Sequence, residues 1–227
     1  MNAIPKQCLL AALALALGAT TATAASAAGR PPVTPDVLGA APAGTVLFDD
    51  DGGRVQIVPR RQSASAEMTD HGGPVVTDES LQIVFLGSGW RAPAQRELEK
   101  QVTKELLARH RAEAPALEDL VDPAGHQAIS DLGIQHRLDE LLASDRPGDC
   151  RDDGAVFVIF LAPGLESTLG EHRSSRDFAA YHNWFHHAQG VVRYVVVPFD
   201  ESASRWLAAA RQSLVQALIN PEGNGWY

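Results

Sequence analysis

Cysteine is almost missing from this chain, with two in 227 residues: Cys8 near the start and Cys150 well downstream. If the N-terminal segment is removed, one thiol remains, which excludes an internal disulfide and leaves stability to packing alone. Long apolar runs are also missing. Beyond the N-terminal segment nothing approaches the roughly 18 residues that a membrane-spanning helix needs. Positive charge is in deficit, with 19 Lys and Arg against 28 Asp and Glu. That balance disfavours nucleic acid and anionic membrane as partners. No GxGxxG, P-loop or GxSxG pattern occurs, so the commoner nucleotide-binding and serine-nucleophile sites have no support. "GSGW" and "GLESTLG" share only their glycines with such loops.

What is present begins with an export signature. Lys6 gives a short positive region, "CLLAALALALGA" a short apolar one, and "ATAASAA" the small residues of a cleavage site. Together they read as a signal peptide over residues 1–28, cleaved near Ala27 or Ala28. Cys8 precedes the apolar region and is badly placed for lipid attachment. Cleavage removes Lys6 and no acid, leaving 18 basic against 28 acidic side chains and a formal charge of −10. The mature chain is expected in the periplasm or outside the cell, with no transmembrane segment.

Residues 29–69 read as a flexible leader with a small hairpin in it. "GRPPVTPDVLGAAPAGT" is rich in Pro, Ala and Gly, whereas "TVLFDDDGGRVQIVPRR" alternates around an Asp51-Gly52-Gly53 turn. A calcium loop counted from Asp49 would need an acid at its twelfth position, where Arg60 stands. Residues 70–227 then read as one α/β domain. "LQIVFLG" is a buried strand, Pro93 opens a helix through "AQRELEKQVTKELLARHRAE", and a second helix is expected over 134–144. "GAVFVIFLAPG" is expected to be a central strand and "VVRYVVVPF" another, with "ESASRWLAAARQSLVQALIN" as the closing helix. This alternation predicts a central mixed sheet with helices packed on it.

Histidines are the main candidates for chemistry, because "YHNWFHH" gathers His182, His186 and His187 within six residues. On a helix, His182 and His186 would share a face at zinc-ligand spacing. Tyr, Asn, Trp and Phe are mediocre helix formers, however, so the segment reads instead as a loop or short turn with its aromatics packed inward.

Four segments in order resemble the phosphate-induced/EXORDIUM-like proteins of plants and their secreted bacterial relatives. They are "HGGPVVTDESLQIVFLGSGW", "GAVFVIFLAPG", "YHNWFHHAQGVVRYVVVPF" and "SLVQALINPEGNGWY", and they span about residues 70–227. The resemblance implies a metallohydrolase-like, zincin-like fold and marks His71, Trp90, Tyr181, Trp226 and Tyr227 as binding or packing positions. It also exposes a departure. The family's closing motif reads roughly His-Glu-Leu-x-Glu-Ala, and its His falls on Gln212, its first Glu on Ser213 and its second Glu on Gln216. An amide is a poor zinc ligand, and neither an amide nor a hydroxyl is a useful base at neutral pH. The apolar stripe Leu207, Ala210, Leu214 and Leu218 places Gln212 and Gln216 together on the opposite side, where they should hydrogen-bond to each other or to neighbours.

The expectation is therefore an exported relative with no catalytic residues and no cofactor, serving a ligand or cell surface that the sequence does not name. A first alternative is a zinc-dependent hydrolase with ligands relocated to His182, His186 or His187 and Glu166, Glu171 or Asp177 as base. A second is an extracellular module that binds carbohydrate or protein through Trp90, Trp184 or Trp226.

Overall fold

Two seven-residue runs, SLQIVFL and AVFVIFL, carry almost no polar side chains, and a strand of that kind must be covered on both faces. In the computed structural model both are covered, and the rest of the fold follows from that requirement. The structure describes residues 45–48, 53–60, 73–77, 79–112, 116–118, 127–143, 155–188 and 190–223. In chain order the elements are β1 (Thr45–Phe48), β2 (Arg54–Pro59), β3 (Ser80–Leu86), α1 (Pro93–Leu107), β4 (Arg111–Ala112), β5 (Ala116–Glu118) and β6 (Ala128–Ser130). They continue with α2 (Asp131–Ala143), β7 (Ala155–Leu161), β8 (Glu166–Leu169), β9 (His172–Arg173), β10 (Phe178–His187), β11 (Gly190–Val197) and α3 (Ala203–Ile219).

The main sheet runs β1-β2-β10-β11-β7-β3-β4, with β5 also paired to β3. From β1 to β11 the pairings are antiparallel, and from β11 through β7 to β3, β4 and β5 they are parallel. The mixed α/β sheet expected from the alternation is thus present, with β7 flanked by parallel neighbours. On one face, α1 and α3 pack over Leu81, Ile83, Phe85, Val156, Val158, Phe160, Val195 and Val197. On the other, α2 packs over Val84, Phe157, Ile159, Tyr194 and Val196. A second, three-stranded sheet, β6-β8-β9, contributes Ile129 and Leu169 to this second core.

Local signals set the helix starts. Pro93 occupies the first turn of α1, where its missing N–H costs nothing. Ser130 Oγ accepts the Gly133 N–H at 3.2 Å, which caps α2 and starts it at Asp131, three residues earlier than the apolar spacing suggests. Asn220-Pro221 ends α3, and the Asn220 N–H closes its last turn on Gln216 O at 2.8 Å.

Three expectations need correction. The β1-β2 hairpin is not part of a leader: β2 pairs with β10, and Val55 and Ile57 are buried in the second core. The main sheet accordingly includes strands upstream of His71, where the compact domain was expected to begin. "YHNWFHH" is neither a loop nor a helix but the body of β10, because aromatic and half-buried residues suit a pleated surface between β2 and β11. Residues 166–169 of "GLESTLG" form β8 of the small sheet. The expected signal segment, residues 29–44 and Cys150 lie outside the described residues.

One irregularity decides which way β10 faces. Its register against β2 shifts between Phe178 and Ala180, a β-bulge. Phe178 and Tyr181 therefore both enter the core under α2, while Ala180 turns to the core under α3. Beyond the bulge, His182 lies on the α3 side and Asn183 on the α2 side.

Candidate polar sites on the two faces of β10

Each face of β10 carries a buried polar cluster, and both clusters include a titratable side chain. Under α2, Asp131 is 1% exposed and sits in the helix's first turn. Its Oδ2 accepts N–H bonds from Gln135 and Asn183, both at 2.9 Å. Tyr194 Oη lies 2.8 Å from both carboxyl oxygens and takes a further bond from Gln135 at 3.1 Å. Ser167 Oγ reaches Tyr181 Oη at 3.5 Å. Burial pushes the Asp131 carboxyl up from its ordinary value, against the opposing pull of the hydrogen bonds from Tyr194, Tyr181, Gln135 and Asn183. The same burial, with Asp131 beside them, pushes the Tyr181 and Tyr194 phenols well above theirs.

Under α3 the cluster is built from uncharged groups. His182 is 2% exposed and its Nε2 lies 3.1 Å from Asn220 O. A carbonyl only accepts, so Nε2 carries the proton and Nδ1 presents a lone pair. Asn220 Nδ2 donates to Gln56 Oε1 at 3.2 Å. Ser213, Gln216 and Asn220 follow one another down the same buried stripe of α3. Burial lowers the His182 pKa to about 4, the Asn220 carbonyl pulling the other way. Among the described residues, His182 Nδ1 and Ser213 Oγ have no hydrogen-bond partner.

The candidate residues fall into place as follows. Ser213 and Gln216 are fully buried against the sheet, whereas Gln212 is half-buried at the margin. The expected stripe of Leu207, Ala210, Leu214 and Leu218 is only one side of a wider buried arc that also holds Trp206, Ser213, Gln216 and Ala217. Gln216 is therefore fully buried, whereas Gln212, expected on the same side of the helix, is not. His182 and His186 lie on one side of an extended strand, about 13 Å apart along it at the usual rise. His187 lies on the other side, its Nε2 3.3 Å from Asp139 of α2. β10 does not bring the three imidazoles together, and no group of three or more His, Cys, Asp or Glu among the described residues is placed to hold a metal.

The expected bases are occupied at the surface around β8 and β9. Glu166 pairs with Arg173 at 2.9 Å and accepts from the Ser175 hydroxyl, which holds its carboxyl below the usual value together with that cation. Asp177 is held low by hydrogen bonds from Arg176 and the Arg173 N–H. Glu171 is exposed, and its backbone carbonyl accepts from Arg176 at 3.4 Å.

Trp90 is not an exposed binder. It is fully buried among Phe85, Phe199 and Trp206, with Nε1 donating to Phe160 O at 3.0 Å. Tyr181 is fully buried beneath α2. Trp184 is half-buried and meets His186 edge-on at 5.1 Å. His71, Trp226 and Tyr227 lie outside the described residues. The glycines of "GSGW" serve close packing where β3 and β7 end. Gly87 adopts φ +110°, and a Cβ there would stand 2.8 Å from Ala162 Cβ.

Sequence reasoning missed Asp131, Asn183 and Tyr194. An Asp in a helix's first turn is ordinary, and only the fold reveals that it faces two strands more than 50 residues away. No helix among the described residues is long and apolar enough to cross a membrane. Compared with family models, with curated proteins and with solved structures, the chain matches none of them.

Proposed function

We propose that this is an exported, non-catalytic α/β domain that acts by binding, in the frame of the EXORDIUM-like resemblance but without that motif's metal-centred chemistry. The observation that carries this reading is the burial of Ser213 and Gln216. They stand where the resemblance would put acids, and they face a packed sheet instead of an open cleft. An ionised acid there would lose its hydration in a packed core, whereas a hydroxyl and an amide are tolerated. His182 supports the same reading: one ring nitrogen is committed to Asn220 O, and its nearest histidine on that face is a strand's length away.

The reading is tested by metal analysis of the mature protein after incubation with zinc and desalting, alongside hydrolysis assays on ester, peptide and phosphoester substrates. The expected result is no retained stoichiometric metal and no turnover. One tightly held zinc per chain that is lost in His182→Ala would overturn it in favour of the relocated-ligand hydrolase.

For the binding surface, the pair Trp184 and His186 is favoured, because Trp184 is only half-buried while Trp90 is sealed in the core. An aromatic with one open face suits a sugar ring or a protein side chain. Trp184→Ala should abolish binding in a screen of cell-wall polysaccharides while leaving the thermal midpoint within a few degrees. Unchanged binding by a folded Trp184→Ala protein removes this surface.

A further inference from the structure

The hydrogen-bond pattern around Asp131 is asymmetric. Oδ2 receives two amide N–H groups, as the carbonyl oxygen of a carboxylic acid would, and Oδ1, which takes neither amide, lies 2.8 Å from the Tyr194 hydroxyl, itself as close to Oδ2. Every partner is neutral. The helix's own neighbour is Gln135, β10 contributes Asn183 and Tyr181, β11 contributes Tyr194, and β8 contributes Ser167 to Tyr181. The charged groups nearest in the fold are engaged elsewhere: Asp139 with His187, Glu166 with Arg173, and Arg193 on the opposite face with Glu222.

We propose that Asp131 is a proton-binding latch between α2 and the strands β10 and β11, held as a neutral acid whose Oδ1–H donates to Tyr194 Oη, and loosened when that proton is lost. The Tyr194 hydroxyl suits both states. It accepts from the neutral acid, and after the proton leaves to solvent it turns to donate to the carboxylate, with no change of heavy-atom positions. The loss strands a charge in a site that offers dipoles but no cation.

The direction of the pH effect follows from burial raising the Asp131 carboxyl. The folded state binds this proton more tightly than the unfolded chain does. The stability it contributes is therefore complete below the ordinary carboxylate value and is lost as pH rises toward the folded value. Within that window the folding equilibrium constant should fall about tenfold per pH unit.

Asp131→Asn reproduces the neutral acid, with its carbonyl placed to accept both amides and its NH2 to face Tyr194 Oη. Urea unfolding of both proteins across pH should show a difference that grows as pH rises from the carboxylate range, in favour of the Asp131→Asn protein. His182 on the opposite face is common to both proteins and cancels. Protection of the α2 amides, corrected for intrinsic exchange, should fall with pH in the unaltered protein only. Infrared spectra of the intact chain above the ordinary carboxylate range should retain a carboxylic-acid carbonyl band. Tyr194→Phe should shift that band, a reading that holds even if Asp131→Asn fails to fold. Parallel pH profiles for the two proteins, or no such band, would overturn the latch.

Discussion

The two faces of β10 solve the same problem in opposite ways. Adjacent residues, His182 and Asn183, each carry a polar side chain into a core, one beneath α3 and the other beneath α2. Beneath α2 the polar atoms converge on one carboxyl group, and amides and phenols surround it. Beneath α3 they form a chain from His182 through Asn220 to Gln56, and the ring's second nitrogen is left without a described partner. The lesson lies in the sign of the proton effect. Burial favours the neutral form in both clusters, but neutral means protonated for Asp131 and deprotonated for His182. Acid should therefore tighten one face of the sheet and loosen the other.

The sharpest way to break this comparison is to place a charge under α3. Gln216→Glu restores an acid at the motif position but buries its charge at a fully buried position of α3, and should cost about 3–5 kcal/mol in urea unfolding at neutral pH. A fully stable variant would show that the α3 face is open to solvent or to a metal.

The second largest effect is the acid response of His182. Its pKa is lowered to about 4, so the stability it contributes is present above the ordinary histidine value and is lost as pH falls toward 4. The full shift is on the order of 3 kcal/mol. His182→Gln should flatten the unfolding profile between those limits, and an unchanged slope would remove His182 as its cause.

Tyr194→Phe comes next, because it removes the hydroxyl that lies against both buried Asp131 carboxyl oxygens. A loss of about 1–3 kcal/mol is expected at neutral pH, read from chemical denaturation. Ser213→Ala should be the mildest change. Its hydroxyl has no described partner, so removal should stay within about 0.5 kcal/mol either way. A large loss there would mean that the hydroxyl is held by a buried water.

The parallel half of the sheet was legible in the sequence, and the antiparallel half was less so. Strand β7 is a continuous apolar run because helices cover both its faces, and the Pro93 start of α1 follows a local rule. Strand β10 was obscured for the reason that makes it interesting. Polar residues face inward on both sides, which erases the alternation that marks a half-buried strand. The β1-β2 hairpin was recognised as a hairpin but not as part of the sheet, since pairing with β10 is a long-range fact. The full burial of Gln216 was not legible because α3 is buried over more than the leucine stripe: Trp206 and Ala217 are buried as well. Asp131 left no local trace, as its partners Asn183 and Tyr194 are brought to it only by the fold.

The bulge between Phe178 and Ala180 gives β10 a parity. One extra residue decides that even-numbered side chains beyond it look toward α3 and odd-numbered ones toward α2. Were a substitution to press the bulge flat with Ala179 kept in the ladder, the effect on the strand would be that of a frameshift on a message: every later side chain would be read by the wrong layer. His182 would be delivered to the tyrosines and Asn183 to the glutamines. Such a chain, almost unchanged in composition, would exchange its proton-sensitive faces or fail to close its sheet.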